Sequence, residues 1–213
     1  MTQQEPRIVR FGDGFSYSDT ATRRLFGDSA SVDVLENFDR CPEAACADGS
    51  TVAVVPVHNT ENGDITGTGG VPLADMARSM GLRVLSTLEL PVDHVLASFG
   101  SLEEIKIVYS KDVALGQCSK FIERYGMRSA SIVPGKSVPL STAGAAIYVA
   151  GKRVRVIAAI CSEEAASHYG VPIVRRNITN SPDNRTTFHA YARADASIPE
   201  GLAGAARRAG GRQ

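Results

Sequence analysis

Apolar and polar positions alternate near the end of the chain, directly after a run of turn-forming residues. The turn formers occupy positions 180–184, and the alternation runs from Thr186 to Arg193. This pattern predicts a tight turn followed by a strand, with the hydroxyls of Thr186 and Thr187 at the first residues of that strand. Loops beside rigid elements commonly present polar groups to ligands, although a surface turn before an edge strand explains the pattern equally well.

Upstream, β-branched apolar runs alternate with helical segments that have recognisable start and stop residues. Parallel strand pairs need a crossover, so this alternation predicts an α/β fold with two lobes and mostly parallel sheets. The predicted elements, in chain order, are a strand over 7–11, a helix capped by Ser18 that ends before Gly27, a helix over 38–47, a strand over 51–57, a helix over 72–80, strands over 82–90 and 92–98, a capping box at Ser101–Glu104, a strand over 106–109, a helix over 112–125, a strand over 128–133, a helix over 141–150, a strand over 154–160, a helix over 162–169, a connecting segment over 173–178 and the strand that follows the opening turn.

Polar side chains cluster at the exit of the apolar strand Thr51–Val57. The next residues, His58–Gly63, carry five polar side chains, and ligands in open α/β sheets bind beyond the carboxyl ends of the strands. The sequence therefore favours a binding site here over an ordinary exposed loop. The Gly12–Gly14 turn can offer backbone N–H groups to an anion, but a plain strand-to-helix connection is the interpretation that we favour there.

The composition limits the partners and the location. With 23 basic and 23 acidic side chains among 213 residues, the formal net charge is zero, whereas nucleic-acid binding needs a basic surplus. No apolar run approaches the roughly 20 residues of a membrane span, and the first residues lack the features of a signal peptide. We therefore expect a cytoplasmic protein that binds neither nucleic acid nor membrane. Residues 195–213, rich in Ala, Gly and Arg, are predicted to form a disordered tail.

Cysteine and histidine form no recognisable framework. Cys41, Cys46, Cys118 and Cys161 are too few and too scattered for a disulfide scaffold, so we expect them to be reduced. The chain has no CxxC pair and no HExxH helix, and its four histidines lie far apart in sequence. We therefore expect no metal site.

Seven motifs in order resemble the catalytic domain of prephenate dehydratase, over about residues 8–193. Their order and their separation by the expected elements make chance agreement improbable. The motifs are Tyr17-Ser18 followed by Leu25-Phe26-Gly27, Val55-Pro-Val-His-Asn-Thr60 with Gly63, Leu90-Pro-Val-Asp-His94, Tyr109-Ser110 with Ala114-Leu-Gly-Gln-Cys118, Ser141-Thr-Ala143, Tyr169-Gly170, and Asn184-Arg-Thr-Thr-Phe188.

The resemblance implies a domain over 6–194 with two α/β lobes like those of a type II periplasmic binding protein and an active site in the cleft. The first lobe is expected over about 6–88 and 175–194, and the second over about 89–174. The family tends to form dimers, so a homodimer is expected. An ACT domain that binds phenylalanine usually follows in the family, whereas this sequence continues only as a short tail, so feedback control by that route is not expected.

Several positions depart from the family pattern. His58-Asn59-Thr60 stands where the family usually has Glu-Asn-Ser, and Lys111-Asp112 stands where it has His-Pro. The family's Thr-Arg-Phe is Thr186-Thr187-Phe188, the usual aspartate near it is Asn180, and Phe15-Ser16 replaces Gly-Thr. These changes suggest a retuned pocket.

The resemblance assigns roles to individual side chains. Thr186 matches the family's essential threonine and would donate a hydrogen bond to the leaving hydroxyl of prephenate. Asn59 and Thr60 would orient the substrate, with Ser141 and Thr142 helping from the other lobe. Thr187 replaces a carboxylate-binding arginine, so another cation is needed. The first candidates for that cation are Lys111 and His58. Arg185 ranks third, because the preceding turn can break the alternation that would place it on the same face as Thr187. Ser18 and Phe188 are the other substrate-binding candidates.

Three functions remain open from the sequence. The first is a dehydratase that forms phenylpyruvate from prephenate, or from a close analogue such as arogenate, and the retained Thr186 favours it. The second is a decarboxylase of specialised metabolism that keeps the hydroxyl and leaves the ring non-aromatic, which the changes at His58, Lys111 and Thr187 favour. The third is a catalytically silent binder of a small dianion. The first two reactions require no cofactor.

Overall fold

The computed structural model describes residues 7–135 and 141–196 and forms two compact units. Of these residues, the first unit contains 7–12, Tyr17–Pro91 and 185–196, and the second contains Asp13–Ser16 and Val92–Asn184. In chain order the elements are β1 (Arg7–Phe11), α1 (Tyr17–Phe26), β2 (Val32–Leu35), α2 (Arg40–Ala47), β3 (Thr51–Asn59), β4 (Gly63–Asp64), a 3-10 turn (Thr68–Gly70), α3 (Leu73–Ser79), β5 (Leu82–Pro91), β6 (His94–Ala97), β7 (Ile107–Tyr109), α4 (Asp112–Gln117), α5 (Ser119–Arg124), β8 (Arg128–Ala130), α6 (Thr142–Lys152), β9 (Ile157–Ser162), α7 (Glu163–His168), β10 (Ile173–Arg175) and β11 (Arg185–Arg193).

The sheet of the first unit has the strand order β2-β1-β3-β11-β5, with β4 paired to β3. The pairs β1–β2 and β1–β3 are parallel, whereas β11 pairs antiparallel with both β3 and β5. The α/β class is confirmed, but the expectation of mostly parallel sheets is wrong for this sheet. The reason is that β11 returns from the second unit and inserts between two strands of the first in the opposite direction.

Two apolar clusters cover the two faces of this sheet. On one face, here called the α1 face, Ala21 and Leu25 of α1 pack against Val54 and Phe188. On the other, the α2–α3 face, Cys41 of α2 packs with the buried residues Ala45, Val55, Val57, Leu73 and Ala77. Most residues of β3 are buried because both of its faces are covered, which explains its nearly continuous apolar sequence.

The sheet of the second unit has the order β10-β6-β9-β7-β8 and is also mixed. The pairs β7–β8 and β7–β9 are parallel, whereas β6 runs antiparallel to β9 and β10. One face packs on small residues of α6 and α7, such as Ala146 and Ala165, and the other packs on α4 and α5 through residues such as Leu115 and Ile122. The small side chains let the helices approach the sheet closely.

The helix predicted over 112–125 is two helices that meet at Cys118. Cys118 has φ −118° and ψ 14°, outside the helical region. The Asn180 side chain inserts at this point, because its Nδ2 donates to the Gly116 carbonyl at 2.8 Å and its Oδ1 accepts from the Lys120 N–H at 3.1 Å. In a continuous helix these two backbone groups would bond each other. The break is therefore caused by a residue distant in sequence.

The capping box predicted at Ser101–Glu104 forms its bond without a helix. The Ser101 N–H donates to Glu104 Oε2 at 2.8 Å, but the segment is a turn. Glu104 also accepts from Arg155 Nη2 at 2.7 Å. The predicted strand over 154–160 begins only at Ile157, since the chain before it remains exposed.

The strand β2 is absent from the sequence prediction. It has four residues, Val34 is 56% exposed, and it pairs with β1 at the edge of the sheet. So short an exposed strand leaves little periodic signal.

The second unit extends to Asn184, whereas the expected lobe boundary lies near residue 175. Arg175 pairs with Leu96 of β6, and Ile178 packs in the core of the second unit. These contacts keep the segment with the second sheet. The tail predicted over 195–213 lies, from residue 197 onward, outside the described residues.

Candidate active site

The end of β3 and the start of β11 bring two predicted site residues into contact. Asn59 is the ladder partner of Thr186, and Asn59 Nδ2 lies 3.0 Å from Thr186 Oγ1. Asn59 is 5% exposed and Thr186 is 8% exposed. An amide and a hydroxyl that are remote in sequence therefore form one buried hydrogen-bonded pair.

A β-bulge in β3 turns Asn59 toward Thr186. The register of the β3–β11 ladder skips Val57, which packs with Val55 on the α2–α3 face. In a regular strand Asn59 would share that face with the two valines, because side chains two residues apart point the same way. The extra residue moves Asn59 to the α1 face, where Thr186 lies.

The orientation of the Asn59 amide follows from its other hydrogen bonds. Its Oδ1 accepts from the backbone N–H groups of Glu61 and Asn62, each at 3.1 Å, so the opposite end must be the NH2 group. That group donates to Thr186 Oγ1 and, at 2.9 Å, to the carbonyl of Arg185. Because Thr186 accepts from Asn59, its own O–H proton points elsewhere and can be donated.

Thr60 joins the same strand ends. Its N–H donates to the Arg185 carbonyl at 3.0 Å, and its Oγ1 accepts from the Arg185 N–H at 2.9 Å. These two bonds extend the ladder beyond Asn59. Thr60 itself is exposed on the loop that follows β3.

Three further candidates lie on the α2–α3 face. His58 is the ladder partner of Thr187, and Arg185 shares the face of Thr187 because β11 already begins at Arg185. The expected break of parity at Arg185 therefore does not occur. His58 Nδ1 lies 2.9 Å from Asp64 Oδ1, and these side chains are 49% and 66% exposed. Both cationic candidates of the first unit are thus on the face opposite Thr186.

The remaining candidates of the first unit, Phe188 and Ser18, are buried on the α1 side. Phe188 is 1% exposed and packs in the core with Leu90. Ser18 is 7% exposed, and its carbonyl accepts from Thr22 Oγ1 at 2.8 Å. The prediction that Ser18 caps the helix is wrong, because α1 begins at Tyr17 and Ser18 lies within its first turn.

An ion-pair network at the start of α1 was missed by the sequence analysis. Arg10 is only 5% exposed, its Nη2 lies 2.6 Å from Asp19 Oδ1, and its Nη1 donates to the Gly12 carbonyl. Asp19 Oδ2 also accepts from Arg23 Nε at 3.1 Å. The sequence contained one indication of this network. Arg10 stands two residues after the apolar Ile8 in β1, and side chains two residues apart in a strand point to the same face.

In the second unit, Lys111 stands between β7 and the first residue of α4. Lys111 is exposed as a residue, yet nearby protein atoms desolvate its ammonium and lower its pKa, while Asp112 acts in the opposite direction. Its position is the carboxyl end of a parallel strand, where α/β sheets bind ligands.

Ser141 is the N-cap of α6, and Thr142 is the first residue of that helix. Ser141 Oγ accepts from the Gly144 N–H at 2.8 Å and donates to the carboxylate of Asp13. Asp13 is therefore a further residue at this helix start that sequence reasoning missed. The Gly12–Gly14 turn was the only signal for it.

The loop Asp13–Ser16, which belongs to the second unit, packs against α7 through Phe15. The Phe15 ring stacks on His168 with ring centroids 3.6 Å apart, and its carbonyl accepts from Ser162 Oγ at 3.2 Å. Phe15 has φ 62°, a conformation that is uncommon for residues other than glycine. The contacts with His168 and Ser162 accompany this unusual backbone.

A buried histidine begins β6, an inner strand of the second sheet. His94 is 2% exposed, and its Nε2 lies 3.1 Å from Gln117 Oε1. Burial lowers the pKa of His94 to about 4, so it is neutral at pH 7. It is therefore a neutral hydrogen-bonding group at neutral pH.

Within residues 7–135 and 141–196, no group of three or more His, Cys, Asp or Glu side chains is arranged to hold a metal ion. In the same part of the chain, no helix has both the length and the hydropathy needed to cross a bilayer. All four cysteines are free thiols.

The two units, each a mixed sheet with helices on both faces, define an α/β protein. More narrowly, the chain is a member of the prephenate dehydratase family, whose model matches residues 8–196. The resemblance drawn from the motifs is confirmed.

Relatives and solved structures agree with this membership. The chain is 31% identical to a bifunctional chorismate mutase/prephenate dehydratase of Enterobacter agglomerans, over 88% of this chain and 47% of that protein. It is 30% identical to a prephenate dehydratase of Methanocaldococcus jannaschii, over 81% and 60%. The crystal structure of an Arthrobacter aurescens prephenate dehydratase in complex with L-Phe has 25% identity and a TM-score of 0.72, over 91% of this chain and 62% of that one. The chain thus spans about half to 60% of the length of these relatives.

Proposed function

We propose that this chain converts prephenate to phenylpyruvate with loss of carbon dioxide and water. Membership of the prephenate dehydratase family supports the reaction. The observation that carries it is the Asn59–Thr186 pair, in which the amide donates to the threonine hydroxyl at 3.0 Å. That bond occupies one lone pair of the Thr186 oxygen and leaves its hydroxyl proton as a donor.

The proposed chemistry makes modest demands on the protein. The bond between the ring and its carboxylate breaks, and its electron pair enters the ring. The bond between the opposite ring carbon and its hydroxyl then breaks, and the departing hydroxide takes up a proton to become water. Formation of the aromatic ring drives both cleavages. Thr186 stabilises the developing negative charge on the leaving oxygen by a hydrogen bond aimed at it before reaction.

The other candidate residues receive supporting roles in this proposal. Asn59 positions Thr186. Thr60, the next residue, bonds the backbone of Arg185 and so helps to hold the end of β3 to the start of β11. Ser141, Thr142 and Lys111 are proposed substrate contacts from the second unit, and their place at the carboxyl edge of its sheet supports this. Further proposed contacts, from the first unit, are Ser18, His58, Arg185, Thr187 and Phe188. The span 6–194 is proposed as one catalytic domain.

The setting of the protein is also part of the proposal. We infer a cytoplasmic enzyme, which four free thiols support, and a homodimer, which rests on the family resemblance. Light scattering of the purified chain tests the second point, since a monomeric mass would contradict it.

The role of Thr186 is tested by three substitutions. Thr186→Ala should lower kcat about 100-fold to 1,000-fold with little change in KM, the usual cost of losing one preorganised donor. Thr186→Ser keeps a hydroxyl and should retain most of the activity. Thr87→Ala is the matched control, because it removes an exposed threonine from the neighbouring strand β5, where no substrate contact is proposed.

The reaction is tested by mixing the purified chain with prephenate and following phenylpyruvate and carbon dioxide together. Equal amounts of both support the dehydratase. Carbon dioxide without phenylpyruvate would replace it with the non-aromatising decarboxylase that the sequence left open. Binding without either product would indicate the silent binder, and turnover of arogenate in preference to prephenate would change the assigned substrate.

A further inference from the structure

The proposed substrate needs a cation that the sequence candidates of the first unit do not supply on the side of Thr186. Prephenate carries two carboxylates at one end of its ring and the hydroxyl at the other. Thr187 stands at the position of the family's arginine, and both His58 and Arg185 lie on the α2–α3 face with it. The hydroxyl donor Thr186 lies on the α1 face. A carboxylate held together with Thr186 therefore requires a cation from that face.

Arg10 is on the required face. In the parallel ladder it pairs with Val54, and Val54 belongs to the cluster beneath α1. Partners in a ladder share a face of the sheet, so the Arg10 side chain projects toward α1. Its 2.6 Å contact with Asp19 in the first turn of that helix agrees with this placement.

Arg10 shares the carboxylate of Asp19 with a second arginine. Asp19 lies between two guanidinium groups, those of Arg10 at 2.6 Å and Arg23 at 3.1 Å. Arg23 also faces Asp28 at 3.7 Å, but the Asp28 side chain is 86% exposed, so water screens that pair strongly. The Arg10 and Asp19 side chains are 6% and 15% exposed, so water screens them weakly. The N-terminus of α1, which lies beside this network, adds a partial positive charge of its own. The result is a buried group that favours an incoming anion.

Arg10 and Thr186 lie at the same edge of the sheet but apart along it. Strands β1 and β3 are parallel and β11 is antiparallel to β3, so the end of β1, the end of β3 and the start of β11 meet at one edge. Thr186 lies four residues of β11 beyond Ala190, the ladder partner of Val54, which is about 13 Å along the sheet at roughly 3.3 Å per residue. It also lies two strand spacings, or about 10 Å, to the side of β1. The Arg10 side chain covers part of this distance, because it extends to the Gly12 carbonyl. A substrate that is recognised at both ends of a six-membered ring spans the remainder.

We propose that Arg10 is the guanidinium that holds the side-chain carboxylate of the substrate in place of the family arginine. This inference rests on the proposed function. The carboxylate in question is the one retained in the product. A guanidinium on the carboxylate that is lost would stabilise the ground state and oppose its departure. Arg10 therefore contributes binding that is equal in substrate and product.

This assignment makes a kinetic prediction with a distinct signature. Arg10→Gln should raise KM for prephenate and the inhibition constant of phenylpyruvate together, by roughly 10-fold to 100-fold, the range of a charge-assisted hydrogen bond. The turnover number should change little, because uniform binding is lost. Arg10→Lys, which keeps the charge without the fork, should recover part of the affinity.

Asp19→Asn gives the opposite change and keeps the test decisive if Arg10→Gln fails to fold. Removing the competing carboxylate leaves Arg10 for the ligand, so KM and the phenylpyruvate dissociation constant should both fall. The matched controls are Arg7→Gln and Asp33→Asn, which alter an exposed ion pair between β1 and β2, with Nε and Oδ2 2.5 Å apart. Neither control should change ligand affinity. Circular dichroism melts verify folding of each variant.

The outcomes separate this inference from the proposed function. If folded Arg10→Gln turns over prephenate with an unchanged KM, or if Asp19→Asn turns it over with no fall in KM, the role of Arg10 is overturned. The dehydratase would then remain in place. Phenylpyruvate binding that depends on Arg10, in a chain without turnover, would support Arg10 while the proposed function fails. A wild-type chain that neither converts prephenate nor binds phenylpyruvate would overturn both.

Discussion

Replacing Asn59 with aspartate tests whether this amide directs the Thr186 hydroxyl. Aspartate has nearly the same shape and keeps an oxygen for the N–H groups of Glu61 and Asn62, which now approach Asn59 Oδ1 at 3.1 Å. Its second oxygen would face Thr186 Oγ1, at the position where the amide nitrogen is now 3.0 Å away. A carboxylate accepts only, so Thr186 would have to donate its proton to residue 59 and lose it for the substrate.

The expected magnitude is that of a lost transition-state donor. Asn59→Asp should lower kcat about 100-fold to 1,000-fold, or about 2.7 to 4 kcal/mol, with a much smaller change in KM. The loss of stability should be roughly 3 to 5 kcal/mol, because a carboxylate would be buried at a position that is 5% exposed and would face the carbonyl of Arg185. For a chain of this size each kcal/mol corresponds to a fall in Tm of roughly 2 to 4 °C.

Two comparisons isolate the direction of the hydrogen bond. Asn59→Ala removes the acceptor for the N–H groups of Glu61 and Asn62, so it should lower kcat. Both residues are exposed and water can replace the lost acceptor, so the cost in stability should be only about 1 kcal/mol for each lost bond. Asn62→Asp adds the same negative charge nearby on an exposed residue and controls for repulsion of the substrate. Steady-state kinetics and thermal melts measure both effects.

The reasoning fails if Asn59→Asp keeps kcat within threefold of wild type. It also fails if the double variant with Thr186→Ala loses much more activity than Thr186→Ala alone. Residues that act as one unit are non-additive, so the aspartate should add little once the hydroxyl is gone.

Two further predictions concern the stability of the second unit. Burial lowers the pKa of His94 to about 4. Between pH 6.5 and 4 the unfolded chain therefore binds a proton that the folded chain does not. The free energy of unfolding should fall by up to about 3 kcal/mol as the pH is lowered over that range. Denaturant titrations should show a flatter pH profile for His94→Gln, and an equal slope would contradict the argument. Gly100→Ala places a Cβ 2.0 Å from the Arg155 carbonyl oxygen and should cost about 2 kcal/mol or more. Gly116→Ala has no atom within 4 Å of its new Cβ, so equal melting temperatures for the two alanine variants would refute the contact.

Features governed by neighbouring residues were predictable from the sequence. The alternation after Thr186 predicted β11, whose observed start at Arg185 is one residue earlier. The serines before α6 and α7, Ser141 and Ser162, are N-caps whose hydroxyls accept from N–H groups at 2.8 and 3.1 Å. Such signals are short-range hydrogen bonds and periodic burial, which a sequence displays directly.

Features governed by distant residues were not predictable in the same way. The break between α4 and α5 depends on the Asn180 amide, which occupies the hydrogen-bonding groups of Gly116 and Lys120. Nothing in the local sequence around Cys118 demands it. The burial of Arg10 likewise depends on Asp19, because an unpaired charge at that inward position would be costly.

The sequence by itself determined the family and the α/β class, and it predicted a site at the polar residues after β3 and before β11. It placed Asn59 and Thr186 at strand ends, but it could not show that they touch. Only the tertiary structure decided that contact, through the antiparallel insertion of β11 and the bulge that skips Val57. The physical reason is that one extra residue reverses which face a side chain occupies. The same register places His58 and Arg185 away from Thr186, and the tertiary structure places Arg10 on the face where a carboxylate partner is needed.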